Sequence, residues 1–310
     1  MPTFPQFSKI KNLDKEAYNR FFNMFQPYSD FTYNSLLNWL DLDNNLEYSF
    51  LNGNYIFSAK GTFAHLDDTL LVFGNSLADK TLDDIFEFQK NNNRAEIVSM
   101  VPEHFIESIK KPEAYDISLD EANSDYVYNV KNIVNLVGSH MRGFRREVNY
   151  FLRTYAHDVR TYHLSLEDIK SRISLINQMH SWDRVYEIGN DEHHLEGLSI
   201  DKAMLNHSIA PYEAIVLESD QGIDGFAIFQ IPPQKNYVIL NYLKCNYEKR
   251  SVFDFIFYCA ASYFKTRGIT WLNFEQDLGI EGLKFHKEKL GPAFRLNRYT
   301  IKPSKQGLKG

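Results

Sequence analysis

None of the 15 glycines has another glycine two positions away, so the chain holds no Gly-x-Gly-x-x-Gly fingerprint and no paired-glycine phosphate loop. Walker, His-Glu-x-x-His and Gly-x-Ser-x-Gly signatures are missing as well, which excludes P-loop, zincin and α/β-hydrolase chemistry of the usual kinds. Cysteine is nearly absent. Cys245 and Cys259 are too few for a disulfide framework or a zinc site and read as reduced core thiols. His193 and His194 are adjacent and diverge on a helix or strand, so they do not chelate one metal. No apolar run approaches the ~18 residues of a membrane span, and Met1-Pro2-Thr3-Phe4 has neither the charged nor the apolar region of a leader. A cytoplasmic protein without stable membrane insertion is expected. Fifteen Gly and ten Pro without a period exclude a collagen-like or linker-dominated chain.

What is present is core material. Among 310 residues, 44% are hydrophobic, with 24 Phe and 19 Tyr, too many for intrinsic disorder and enough for two domains. The net charge of −6 is unevenly spread: residues 1–155 hold 15 Lys+Arg against 21 Asp+Glu, whereas Tyr242 to the end holds 13 against 6. An anionic partner would therefore meet the C-terminal part.

Periodicity gives the order of elements. In the first half, helices over Leu13–Phe25 and Phe31–Leu40 precede a hairpin, Glu47–Phe50 and Tyr55–Ala59, turned by Asn52-Gly53,. Strand Thr69–Phe73, helix Thr81–Asn91, strand Glu96–Val101, a short helix Pro102–Lys110 and strand Tyr126–Val130 follow. The second half repeats this order: strand Val159–Leu164, helices Leu166–His180 and Leu198–Ile209, then a meander through Ala214–Glu218, Gly225–Ile231 and Tyr237–Cys245. Helix Ser251–Lys265, with a Ser-x-x-Asp cap, is apolar almost all round and belongs against a sheet,. Strand Thr270–Phe274, helix Ile280–Leu290 and strand Phe294–Lys302 close the pattern. The order resembles that of the GCN5-related N-acetyltransferases, seen twice. The fold class expected is α+β or α/β: two tandem acetyltransferase-like domains, residues 1–157 and 158–310, each a mixed, mostly antiparallel sheet flanked by helices.

Between the halves lies a basic helix, about 136–155. At ~100° per residue, Arg142, Arg145, Arg146, Asn149 and Arg153 share one face, and Val137, Met141, Phe144, Val148, Phe151, Leu152 and Tyr155 lie opposite,. Crowded guanidinium groups need an anion or acidic side chains opposite them. Both readings stand: a face paired with the acidic N-terminal half, or a phosphate-binding face.

The densest polar segment runs from Asn273 to Lys289. The end of strand Thr270–Phe274 places Asn273, Glu275 and Asp277 where ligands enter an open sheet. Glu275 is the candidate base, Asn273 the candidate oxyanion donor, and Asp277 is either a further catalytic carboxylate or a turn and helix cap. Lys284 and Lys287, three apart on one helix, are candidate phosphate contacts. Acetyl-CoA enzymes of this fold hold the pyrophosphate on a Gln/Arg-x-x-Gly-x-Gly/Ala loop. The corresponding junction here, Tyr242 to Ser251, has no glycine, so no cofactor is expected and coenzyme A is disfavoured. Lys244, Lys249 and Arg250 are left as side chains able to reach an anion.

Three segments carry a family resemblance. Tyr28-Ser29-Asp30-Phe31 through Leu36 and Trp39 resembles the Ser-Asp-Phe-x-x-x-x-Leu-x-x-Trp opening of a bacterial family of unknown function related to the C-terminal domain of phosphatidylglycerol lysyltransferase. Gly138–Phe151 resembles its basic central helix, with Arg146-Glu147 where Lys/Arg-Asn pairs are usual, and Asn273–Leu283 is similar to its Glu-Gln-Asp-Leu-Gly-Ile-Glu-Gly-Leu motif. The resemblance implies transfer of an aminoacyl or acyl group, with aminoacyl-tRNA or another phosphate-bearing donor as partner and no coenzyme A. Lipid-modifying relatives carry a large membrane domain that this sequence lacks, which leaves the acceptor open. Two alternatives remain: a non-catalytic protein that binds an anionic metabolite, and a divergent coenzyme A-dependent N-acetyltransferase.

Overall fold

The computed structural model describes residues 1–59, 66, 69–155, 157–186, 191–234 and 236–304, with side chains at all of these except 184–186 and 191–193. The chain forms two units, Met1–Asp125 with Leu296–Gly310, and Tyr126–Arg295.

In chain order the first unit contributes β1 (Ser8–Lys9), α1 (Lys15–Phe22), α2 (Tyr33–Ser35), β2 (Glu47–Leu51), β3 (Asn54–Ser58), β4 (Leu70–Phe73), α3 (Ala78–Asn91), β5 (Val98–Pro102), α4 (Glu103–Ile106) and β6 (Tyr115–Leu119). The chain goes on through β7 (Asp125–Asn129), α5 (Val130–Asn135), α6 (Arg142–Tyr155), β8 (Val159–Leu164), α7 (Ile169–Tyr186), α8 (Asp191–Leu205), β9 (Glu213–Ser219), β10 (Gly222–Gln230), β11 (Tyr237–Cys245), α9 (Val252–Thr266), β12 (Trp271–Asn273), α10 (Glu281–Lys289), β13 (Phe294–Leu296) and β14 (Arg298–Pro303). Local chemistry fixes several ends. The β2–β3 turn uses Asn52 (φ 52°) and Gly53 (φ 88°), the positive-φ pair that a tight hairpin requires,. The Asp14 carboxylate caps α1 by accepting from the Ala17 amide at 3.0 Å,.

Among the described residues both sheets have seven strands, in the orders β1-β2-β3-β4-β5-β14-β6 and β13-β7-β12-β11-β10-β9-β8. An antiparallel meander leads in each to one parallel pair, β4–β5 or β11–β12, bridged by a helix, α3 or α9,. This is the tandem acetyltransferase-like fold. The division of the chain, however, departs from the expected one at 157. Strand β14 sits between β5 and β6 of the first sheet, and β7 sits between β13 and β12 of the second. The basic helix α6 belongs to the second unit, because Phe144 and Phe151 pack on α9, with Phe151–Phe255 stacked at 4.3 Å and Phe144–Phe257 edge-on at 6.0 Å. Pairing between strands so distant in sequence leaves no local signal.

The second sheet is covered on two sides. One cluster joins α5, α6 and α9 to the sheet through residues such as Val148, Leu240, Ile256, Phe257 and Phe264, and the other joins α7 and α8 through Leu175, Met179, Ile200, Val216 and Phe226. Each large apolar side chain so buried contributes roughly 1.5–3 kcal/mol. Helix α9 is the buried helix its composition called for. Trp182 stacks on Phe226 at 5.8 Å. Both cysteines are free, and burial pushes the Cys245 thiol up to about 12 and the Cys259 thiol up to about 11.

The Ser29-Asp30 pair has a structural explanation in the first unit. The Arg298 guanidinium, fully buried on β14, lies 2.9 Å from Asp30 and 3.0 Å from Asp125. Ser29 donates to Asp125 twice, from its amide and from its hydroxyl, each at 2.8 Å. A buried guanidinium shared by two carboxylates fixes β14 in its slot, and the cluster is costly to break from either side.

Candidate active site

In the second sheet the parallel partners part. Tyr237, Val238 and Ile239 pair with Trp271, Leu272 and Asn273, after which β12 ends and β11 runs on to Cys245. A bulge interrupts β11 at this point: Ile228 faces Tyr242 and Phe229 faces Leu240, which leaves Asn241 as the extra residue,. Asn241 donates from Nδ2 to Glu275 Oε1 at 2.7 Å and accepts from Gln230 Nε2 at 3.1 Å. The gap between the strands is thus spanned by a chain of side chains, Gln230 to Asn241 to Glu275.

Glu275 has φ +55°, the left-handed region. For a residue with a Cβ this costs roughly 1–3 kcal/mol and persists only where the surroundings over-determine it. Here they do. The Glu275 amide donates to Asn273 Oδ1 at 2.8 Å, and its carbonyl accepts from the Tyr126 amide at 3.0 Å. Lys287 clamps the same loop, its ammonium donating to the carbonyls of Phe274 and Gln276 and lying 4.6 Å from the centre of the Phe274 ring. Lys287 is therefore not on a phosphate-facing surface as its spacing had implied. It is 4% exposed and holds backbone, because α10 turns that face inward. Lys284 is half-buried on the same helix.

Three candidate catalytic residues thus have three placements. Glu275, half-buried, stands at the parted strands. Asn273 is fully buried and braces the Glu275 backbone. The Asp277 carboxylate is taken up inside the unit, accepting from the Tyr126 hydroxyl at 2.6 Å and from the Gly279 amide at 2.8 Å, with Arg295 at 3.7 Å. The turn reading describes what Asp277 does. Also on β11, the Tyr242 hydroxyl pairs with Ser199 at 2.6 Å, and burial, aided by Tyr212 and the Glu275 and Glu196 carboxylates, holds its pKa well above the usual tyrosine value. It is a neutral hydroxyl at physiological pH.

Each of the three cations of the glycine-free junction faces a carboxylate: Lys244 pairs with Glu196, Lys249 with Asp224 at 2.6 Å, and Arg250 with Glu147 at 3.4 Å while stacking over Tyr150 at 4.4 Å. The Ser-x-x-Asp cap expected on α9 does not form. Ser251 is left-handed (φ 66°) and its hydroxyl donates to Glu147 at 2.7 Å. The equivalent junction of the first unit is also internally satisfied, with the Ser76 amide donating to Asn54 Oδ1 at 3.0 Å. In the first unit Phe73, beyond the residues of β4 that pair with β5, is ringed by Phe31, Phe22, Phe25 and His104 at 4.8, 5.4, 5.4 and 5.4 Å.

The arginines of α6 divide. Arg142, Arg145 and Arg146, with Gly143 and Asn149, line an open depression of about 570 Å³. Arg145 donates to the Leu136 carbonyl at 2.6 Å and Arg146 to Glu147 at 2.9 Å. Arg153 turns back to the Asn149 carbonyl at 3.2 Å and does not line the depression. On the opposite face Met141, Phe144, Val148 and Phe151 are buried and Tyr155 is half-buried, whereas Leu152 and Val137, the latter ahead of the helix, are exposed. His194 is exposed, and the His193 side chain lies outside the described residues. Among the described residues no group of three or more His, Cys, Asp or Glu is placed to hold a metal ion, and no helix is long and apolar enough to cross a membrane. Sequence reasoning missed Asn241, Gln230 and Glu147. The available signal for Asn241 was a lone carboxamide inside the apolar run Tyr237–Leu243.

Comparison with known proteins agrees with the fold. A conserved protein of unknown function from Bacteroides thetaiotaomicron superposes with a TM-score of 0.82 at 19% identity, covering 96% of this chain and 99% of that one. L-PGS from Bacillus licheniformis superposes with a TM-score of 0.60 at 14% identity, covering 94% and 92%. At these identities the likeness is one of fold. Among curated proteins none matches. Residues 54–302 match the family described as phosphatidylglycerol lysyltransferase, C-terminal, and the chain belongs to that family.

Proposed function

We propose that this protein transfers an aminoacyl or acyl group from a phosphate-bearing donor, aminoacyl-tRNA being the favoured class, without coenzyme A. The observation that carries the reading is the strained Glu275, braced by Asn273 and Lys287 and held by Asn241 where the strands part. In this scheme an amine or hydroxyl of the acceptor attacks the donor's ester carbonyl while Glu275 orients it and takes its proton. The tetrahedral oxyanion then collapses, the ester C–O bond breaks, and the departing donor oxygen recovers the proton from Glu275. The arginine-lined depression of α6 would hold the donor's phosphates. Against coenzyme A stand the missing glycines and the carboxylates already opposite Lys244, Lys249 and Arg250.

The test is a low-salt thermal-shift comparison with acetyl-CoA, bulk aminoacyl-tRNA and deacylated tRNA, followed by aminoacyl-tRNA turnover in wild type and Glu275→Gln. Stabilisation by tRNA that fades with salt, and a turnover loss of about 10²–10⁴-fold in the folded variant, are expected. Stabilisation by acetyl-CoA alone, or undiminished turnover in Glu275→Gln, defeats the reading.

A further inference from the structure

Gly143 lies in the first turn of α6, on the wall of the depression it shares with Arg142, Arg145 and Arg146. A Cβ at this position would fall 2.7 Å from Lys289 Cε and 3.6 Å from its Nζ. The half-buried Lys289 side chain, in the last turn of α10, therefore runs over bare backbone that any other residue would block. Arg145 and Arg146 have protein partners. Arg142 and Lys289 differ: among the described residues neither charged end makes a hydrogen bond or an ion pair. The first turn of α6 holds no acidic residue. Lys289 is the largest opposing charge on half-buried Asp254, whose carboxyl desolvation pushes up to about 6. Lys289 thus adds a cation beside the depression that Arg142 and Gly143 line, and cations gathered around one depression repel each other unless an anion lies among them,.

We propose that Arg142 and Lys289 form a phosphate subsite over Gly143, at the edge of the arginine-lined depression. This rests on the reading of α6 as the face that meets the donor's phosphates, and adds to it a cation from another helix that sequence spacing did not indicate. The ligand is a phosphate oxyanion, carried either by the RNA backbone or by a small molecule. Glycine at 143 is kept for the path of Lys289, since alanine is the better helix former.

The experiment measures binding of deacylated tRNA and of inorganic phosphate to the full chain over a salt series, for wild type, Lys289→Gln, Gly143→Ala and Arg142→Gln. Lys289→Gln should weaken tRNA binding several-fold and lower the slope of log affinity against log salt by about one. Gly143→Ala adds and removes no charge, and the atom it displaces is the far end of a flexible side chain. It should fold with an unchanged or higher Tm and still bind several-fold more weakly, which a general loss of structure would not produce. Phosphate protection that is lost in Lys289→Gln supports a small-molecule source; response to tRNA alone supports an RNA source. If Arg142→Gln binds weakly while Lys289→Gln and Gly143→Ala bind like wild type, the subsite is wrong and the arginine face stands, Lys289 then serving to balance Asp254. If wild type binds neither probe, the reading of the face falls with it.

Discussion

The Asn241 carboxamide, on a bulge of one strand, donates to the Glu275 carboxylate beyond the end of the next at 2.7 Å, while Gln230 donates to Asn241 from the other side at 3.1 Å. The direction of each bond is set. The Glu275 carboxylate can only accept, so the Asn241 NH2 is turned toward it and the Asn241 oxygen is left to accept from Gln230,.

Asn241→Ala should therefore lower turnover by about 10–100-fold with little change in donor affinity, the size expected when a reacting group is displaced by about an ångström. Asn241→Asp should lower it further and move the acid limb of the pH–rate profile upward, because two facing carboxylates share one proton more readily. Steady-state kinetics across pH, with Tm as the control for folding, decide this.

Lys287→Met keeps the length of the side chain and removes the ammonium from two buried carbonyls, those of Phe274 and Gln276. A loss of about 2–3 kcal/mol in urea unfolding is expected. Turnover should fall through the loosened Glu275 loop, and the salt dependence of tRNA binding should stay as in wild type. An altered salt slope would return Lys287 to the phosphate contacts.

Arg298→Met leaves Asp30 and Asp125 facing each other without their guanidinium. A cost of about 3–5 kcal/mol is expected at neutral pH. Burial already pushes the Asp30 carboxyl up to about 6, against the pull of Arg298. A carboxyl raised in the folded state binds its proton there first, so its penalty is present above that pKa and is relieved as pH falls toward the unfolded value. The deficit of Arg298→Met should accordingly be smaller at pH 5 than at pH 8, as read by denaturant midpoints.

His104 gives the opposite sign. Its ring stacks on Phe25 at 4.4 Å, neither ring nitrogen has a hydrogen-bond partner, and burial lowers its pKa to about 4. Between the ordinary histidine value of about 6.5 and that lowered value, the unfolded chain takes up a proton that the folded chain refuses. Stability is lost as pH falls through this window. His104→Phe should remove the loss, so its advantage over wild type should grow from pH 7.5 to pH 5. A constant difference across that range would mean that His104 ionises without penalty.

Much of this was legible before any coordinates. The Asn-Gly turn, the apolar circumference of α9 and the two-faced α6 are written in local spacing, and Glu275 was placed at a strand end by the composition around it. Lys287 was misread because an interval of three residues tells which side chains share a face and says nothing about what that face meets. Asn241 stayed hidden for a related reason: a bulge depends on the register of the neighbouring strand. Glu147, read as an interruption of a basic pattern, proved to be the partner of Arg146, Arg250 and Ser251.

The position of β14 between β5 and β6 has a consequence for how the chain is made. Everything else in the first sheet is translated early, but the strand that separates β5 from β6 leaves the ribosome only after all of Tyr126–Arg295 has been synthesised. At about 5–20 residues per second, the nascent first unit waits many seconds with a vacant track between two strands and with Asp30 and Asp125 lacking their guanidinium. The second sheet gains its own last strand, β13, only one residue before β14 begins, so a single short stretch of chain, made last, supplies the closing strand of both sheets.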